Sequence, residues 1–94
     1  MKLYQLDIPP QVAEVLRHVP PDLKQSIKSA LRLLSTNPQS GTPLVKKLDG
    51  YWKYRVKRFR IVYAIAGRTK VLRIVAIGHR RGIYEEVAKL IKDQ

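Results

Sequence analysis

The chain has 94 residues, with 19 Lys or Arg against 7 Asp or Glu, a formal charge of +12, two histidines and no cysteine. One small core is all that such a length can close over, so residues 1–94 are expected to form a single domain. The absence of cysteine excludes disulfides and thiolate metal sites, and two distant histidines, His18 and His79, among so few acids supply no metal-ligand set.

Residues 2–8 set Leu3, Gln5 and Asp7 against Tyr4, Leu6 and Ile8, an alternation that predicts a first strand. Pro9 and Pro10 end it, because proline offers a ladder no donor yet suits the first turn of a helix. Val12, Val15, Leu16 and Val19 then recur at helical spacing and predict an amphipathic helix stopped by Pro20 and Pro21. A second helix opens near Asp22, carries Leu23, Ile27, Ala30, Leu31 and Leu34 on one face, and ends at Asn37-Pro38. Two helices joined by so short a link predict a helical hairpin whose apolar stripes need a sheet to cover them.

Residues 38–50, with two prolines and two glycines, read as a loop anchored by Leu44, Val45 and Leu48. Three strands follow. With Lys57-Arg58 as a two-residue turn, Val56 pairs with Phe59, Arg55 with Arg60, Tyr54 with Ile61 and Lys53 with Val62. Trp52, Tyr54, Ile61 and Tyr63 then share an apolar face, and Lys53, Arg55 and Arg60 share the opposite one. Residues 70–77 are apolar on both faces, as befits a strand covered on two sides, and Gly78 brings His79 and Arg80 towards Arg60. From Gly82, Ile83, Val87, Leu90 and Ile91 predict a final amphipathic helix. The expected class is therefore α+β: an N-terminal strand, a helical hairpin, a three-stranded antiparallel meander and a short C-terminal helix, with the helices packed on one sheet.

Charge is unevenly distributed. From Lys46 to Arg81 there are twelve Lys or Arg and one acid, Asp49, which is +11 of the +12. A field so concentrated suits a polyanionic partner. The N-terminal residues do not form a secretory signal and no apolar run approaches the roughly 18 residues of a membrane span, so a cytoplasmic protein without membrane attachment is expected.

The order of elements, together with L-D-G-Y-W-K-Y-R-V, F-R-I-V-Y and I-G-H-R-R-G-I-Y, resembles the RelE/ParE superfamily of bacterial and archaeal toxins over essentially the whole chain. That resemblance implies a toxin of a type II toxin-antitoxin system, held in a hetero-oligomer by a cognate antitoxin. RelE-type members cleave messenger RNA in the ribosomal A site, beside ribosomal RNA, and so inhibit translation. ParE-type members poison DNA gyrase instead, and an inactive RNA-binding relative is a third alternative. Carried over by position, Lys53, Arg55, Arg60, Arg80 and Tyr84 match the residues that handle the scissile phosphate in the RelE-type enzymes.

RNA carries its own nucleophile, so such an enzyme needs no cofactor or metal. It must deprotonate a 2′-hydroxyl, hold the phosphate in line, neutralise the growing charge and protonate the leaving oxygen. Arg60 and Arg80 suit the charge, since a guanidinium grips phosphate in a planar fork. Arg55 stays protonated, which makes Lys53 the candidate base, its charged form disfavoured by neighbouring cations. His79 is a further candidate acid or base, Tyr84 suits stacking on a base or proton donation, and Lys46, Lys47, Lys57, Arg58 and Arg81 are candidate RNA contacts.

Overall fold

The computed structural model describes residues 3–79 and 82–92. Strand β1 (Gln5–Asp7) leads into helix α1 (Pro10–Arg17) and helix α2 (Pro21–Thr36). Each helix has a proline at its start, where the missing N–H forfeits no intrahelical bond, and Asp22 lies in the first turn of α2, at the positive end of the dipole. A short 3₁₀ turn, Pro38–Ser40, precedes β2 (Thr42–Pro43), and a second, Lys46–Leu48, precedes β3 (Trp52–Val56). Strands β4 (Phe59–Ala66) and β5 (Val71–Gly78) complete the sheet, and α3 (Gly82–Lys92) follows.

The sheet order is β1-β5-β4-β3-β2. The β3–β4 hairpin has the register read from the sequence, from Val56 opposite Phe59 to Trp52 opposite Tyr63. The turn has neither Gly nor Asn, so Lys57 itself takes the left-handed conformation, with φ of 54°. Two features lay outside the sequence reading. β1 joins the far side of β5 in parallel, Gln5 opposite Val71, and the supposed loop 38–50 contributes the two-residue edge strand β2, with Thr42 opposite Lys53.

The sheet divides two apolar clusters. On one face Val12, Val19, Leu23, Ile27, Leu31 and Leu34 of the hairpin cover Ile61, Tyr63, Leu72 and Ile74. On the other, Ile83 and Val87 of α3 cover Val62 and Ala76. The register of β5 shifts between the partners of Val62 and Tyr63, which switches its alternation so that Leu72 and Ile74 face the first cluster and Ala76 the second. All five residues expected on the apolar stripe of α2 are buried, and Ile27 and Leu34 expose nothing. Each such side chain contributes about 1.5–3 kcal/mol of transfer free energy. Val15, expected in the stripe of α1, is instead exposed on its flank, because α1 ends at Arg17 and turns only one narrow face to β5. No described helix is long and apolar enough to cross a membrane.

Candidate active site

Alternation along β3 sends Tyr54 and Val56 towards the hairpin helices and Lys53 and Arg55 the other way. Because Arg60 pairs with Arg55 across the turn, its side chain emerges on the same face, and Gly78 of β5 lies opposite it. Tyr84, in the first turn of α3, comes over this face from the C-terminal end. The result is a pocket of about 380 Å³ lined by Lys53, Arg55, Arg60 and Tyr84, with Ser40, Gly41 and Thr42 along its β2 side and Tyr54 also reaching it.

The Lys53 ammonium stands 5.9 Å from the centroid of the Tyr84 ring, close enough for the ring quadrupole to attract it. The Tyr84 hydroxyl is enclosed and has no hydrogen-bond partner among the described residues. Arg55 donates from Nε to the Lys57 carbonyl at 3.1 Å, which holds its guanidinium along the hairpin turn. Among the described residues the ion pair of a Lys or Arg with a carboxylate is that of Arg17 with Glu14, exposed on α1, with the His18 ring 3.8 Å from Glu14 at the end of that helix. The cations of the pocket thus have no carboxylate there to neutralise them, and the pocket presents an uncompensated positive field to solvent.

The wall beside the cations is fixed from beneath. The Tyr63 hydroxyl donates to the Pro38 carbonyl at 2.7 Å and accepts from the Gly41 amide at 3.2 Å. Burial pushes this phenol up to about 12, from an ordinary value of 10.0, although the Gly41 amide acts in the opposite sense. A Cβ at Gly41 would collide with both the Tyr63 hydroxyl and the Lys53 carbonyl, so the backbone approach there admits only glycine.

Four of the residues singled out in the sequence therefore meet in one pocket: Lys53, Arg55, Arg60 and Tyr84. Arg80 and Arg81 lie outside the described residues. His79 does not share the pocket. Its ring packs on Phe59, centroids 5.4 Å apart and tilted by 39°, and it lines a separate groove with Val15, His18, Ile77 and Ile83. Lys57 and Arg58 border a small cleft beside Asp22 and Leu23, and Lys46 and Lys47 are exposed on the second 3₁₀ turn. The sequence reading missed residues 40–42, which lie in a segment without periodicity. Their one local sign is a glycine before a threonine and a proline, the pattern of any turn.

A family model described as the ParE toxin of type II toxin-antitoxin systems, parDE, matches residues 8–84. Among solved structures, the toxin-antitoxin complex RelBE2 from Mycobacterium tuberculosis contains a chain 24% identical, with a TM-score of 0.77 over 85% of this chain and 94% of that one. A mutant of the Escherichia coli toxin RelE in the free state is 18% identical, with a TM-score of 0.77 over 95% and 98% of the two chains. A YoeB/ParE toxin from Agrobacterium tumefaciens is 20% identical, with a TM-score of 0.69 over 81% and 98%. At these identities the structural likeness is one of fold. No curated protein matches the chain by sequence.

Proposed function

We propose that this chain, which belongs to the family of ParE toxins of type II toxin-antitoxin systems, acts as a metal-independent endoribonuclease on messenger RNA in the ribosome. The observation that carries this reading is the pocket itself, where Lys53, Arg55 and Arg60 converge with Tyr84. Three cations and an aromatic ring in one cavity suit a phosphodiester with a base beside it.

In the proposed reaction the 2′-oxygen forms a bond to phosphorus and the bond to the 5′-oxygen breaks, leaving a 2′,3′-cyclic phosphate and a 5′-hydroxyl. Lys53 takes the proton of the 2′-hydroxyl. Arg60 and Arg55, joined by Arg80, stabilise the charge that develops on the non-bridging oxygens. The leaving 5′-oxygen takes the phenolic proton of Tyr84, whose hydroxyl is committed to no partner among the described residues. The proton taken up by Lys53 then replaces the one given by Tyr84, and both groups are restored.

The partners under this reading are the ribosome with its message and a cognate antitoxin. The solved relatives include toxin-antitoxin complexes, and a chain of charge +12 suits an antitoxin with an acidic segment. Lys46, Lys47, Lys57, Arg58 and Arg81 would extend the contact to RNA phosphates, and the cytoplasm is where message and antitoxin meet.

Primer extension on abundant transcripts after induced expression tests the reading, with wild type compared against Arg60→Ala and Arg80→Ala. Cuts inside translated codons that vanish in both variants and under a translation inhibitor are the expected result. A second reading, inhibition of DNA gyrase, is favoured by the ParE description of the matching family. Growth arrest with uncut messages and gyrase-linked DNA breaks would establish it in place of the first.

A further inference from the structure

We propose that Tyr63 is a positioning residue for this pocket: its hydroxyl fixes the wall formed by residues 40–42 against Lys53, and that wall holds the ribose-phosphate backbone of the RNA beside the cations. The identity of the ligand rests on the nuclease reading above; the positioning rests on the geometry alone.

Tyr63 has none of its surface exposed, and its ring stacks on Trp52 with centroids 6.4 Å apart. A phenylalanine would fill the same place. What the hydroxyl adds is a tie to a segment far away in sequence, made by donating to Pro38 and accepting from Gly41. Other restraints on that segment are the burial of Pro38, the pairing of Thr42 with Lys53 and, beyond the wall, the Leu44 amide's bond to the Tyr51 carbonyl at 2.8 Å. Strand β2 is two residues long, one of them Pro43, which has no N–H to give, and the Ser40 amide bonds only as far back as the Asn37 carbonyl.

Gly41 nevertheless sits so near β3 that no Cβ fits between it and the Lys53 carbonyl. Ser40, Gly41 and Thr42 line the pocket beside Lys53, Arg55 and Arg60, with Thr42 paired to Lys53 on the neighbouring strand, and Tyr63 itself does not line it. The hydroxyl therefore sets the width of a cavity that it does not touch. A wall of this kind contacts backbone flanking the reacting phosphate, and it does so equally before and during the reaction. Its displacement should weaken binding and leave turnover alone.

The experiment uses Tyr63→Phe in the full chain, with two measurements. Amide hydrogen exchange should accelerate at Gly41 and Thr42 while the amides of β4 and β5 keep their protection. In cleavage of programmed ribosomes, the half-saturating concentration should rise about tenfold with the maximal rate changed less than about twofold, the signature of lost uniform binding. A merely structural role would lower the melting temperature and the active fraction, hence the maximal rate, without moving the half-saturating concentration; that outcome overturns the proposal, as does unchanged exchange at Gly41.

Should wild type cleave no message, the nuclease reading falls and the wall is tested by anisotropy with a 2′-deoxy-substituted RNA. An affinity about tenfold weaker for Tyr63→Phe supports the positioning role, and equal affinity, or no binding by wild type, overturns it. Gly41→Ala, which pushes the same wall from the other side, should act in the same direction and combine non-additively with Tyr63→Phe.

Discussion

The Lys53 ammonium lies 5.9 Å from the centroid of the Tyr84 ring, so a residue of β3 and a residue of α3 meet over one cavity. Neither element makes the site alone. The sheet supplies charge at fixed spacing, and the last helix supplies the aromatic wall.

If Lys53 is the base and Arg60 the charge-stabilising group, Lys53→Met and Arg60→Ala should each lower cleavage by about 10²- to 10³-fold. Both side chains are part-exposed and make no ion pair among the described residues, so far-ultraviolet circular dichroism and the melting temperature should stay near wild type. A folded variant with full cleavage would remove that residue from the chemistry.

Tyr84→Phe should have opposed effects. Removing an enclosed hydroxyl that has no partner among the described residues should stabilise the fold by about 1 kcal/mol, whereas under the nuclease reading the loss of the phenolic proton should slow cleavage. Chemical denaturation and a cleavage assay on the same sample check both signs. A destabilised Tyr84→Phe would mean that the hydroxyl is bonded after all.

Tyr63 ties stability to alkaline pH. Its folded value is raised, so the neutral phenol is favoured in the native state; the contribution is complete below pH 10 and is lost as pH rises through about 12. Denaturation midpoints should fall across that window with a slope of about one proton, and Tyr63→Phe should lack that component of the slope. An identical slope in the two proteins would count against the buried phenol as its source.

Lys57 holds a left-handed conformation in a two-residue turn. Lys57→Gly should therefore stabilise the chain by about 1 kcal/mol, since glycine adopts positive φ without the clash of a Cβ. Thermal unfolding reads this as a rise of roughly 4–8 °C for a domain of this size. No change would mean that the native turn had already absorbed the strain.

The β3–β4 register was legible because alternation leaves one solution once the turn is two residues long, and the α2 stripe because five apolar residues fall on one face. Strand β2 was not legible. Thr42–Pro43 is too short to show alternation and ends in a proline, and the Tyr63 hydroxyl that bonds the adjoining Gly41 amide lies far away in sequence. Tyr63 itself was correctly read as core, but a hydroxyl's partner more than twenty residues away leaves no local sign. For the site, shared-face reasoning brought Lys53, Arg55 and Arg60 together correctly. It drew His79 towards Arg60 as well, because Gly78 does pair with Arg60; one residue further on, the ring turns to Phe59 and the groove beside α1.

The parallel pairing of Gln5 with Val71 also sets an order of assembly. The first strand leaves the ribosome early and waits, unpaired on that side, until the last strand of the sheet has been made. Because β5 stands between β1 and β4, the sheet cannot close before most of the chain has emerged. The β1 pairing thus waits for residues more than sixty positions later in the chain, which makes it the most non-local joint of the sheet.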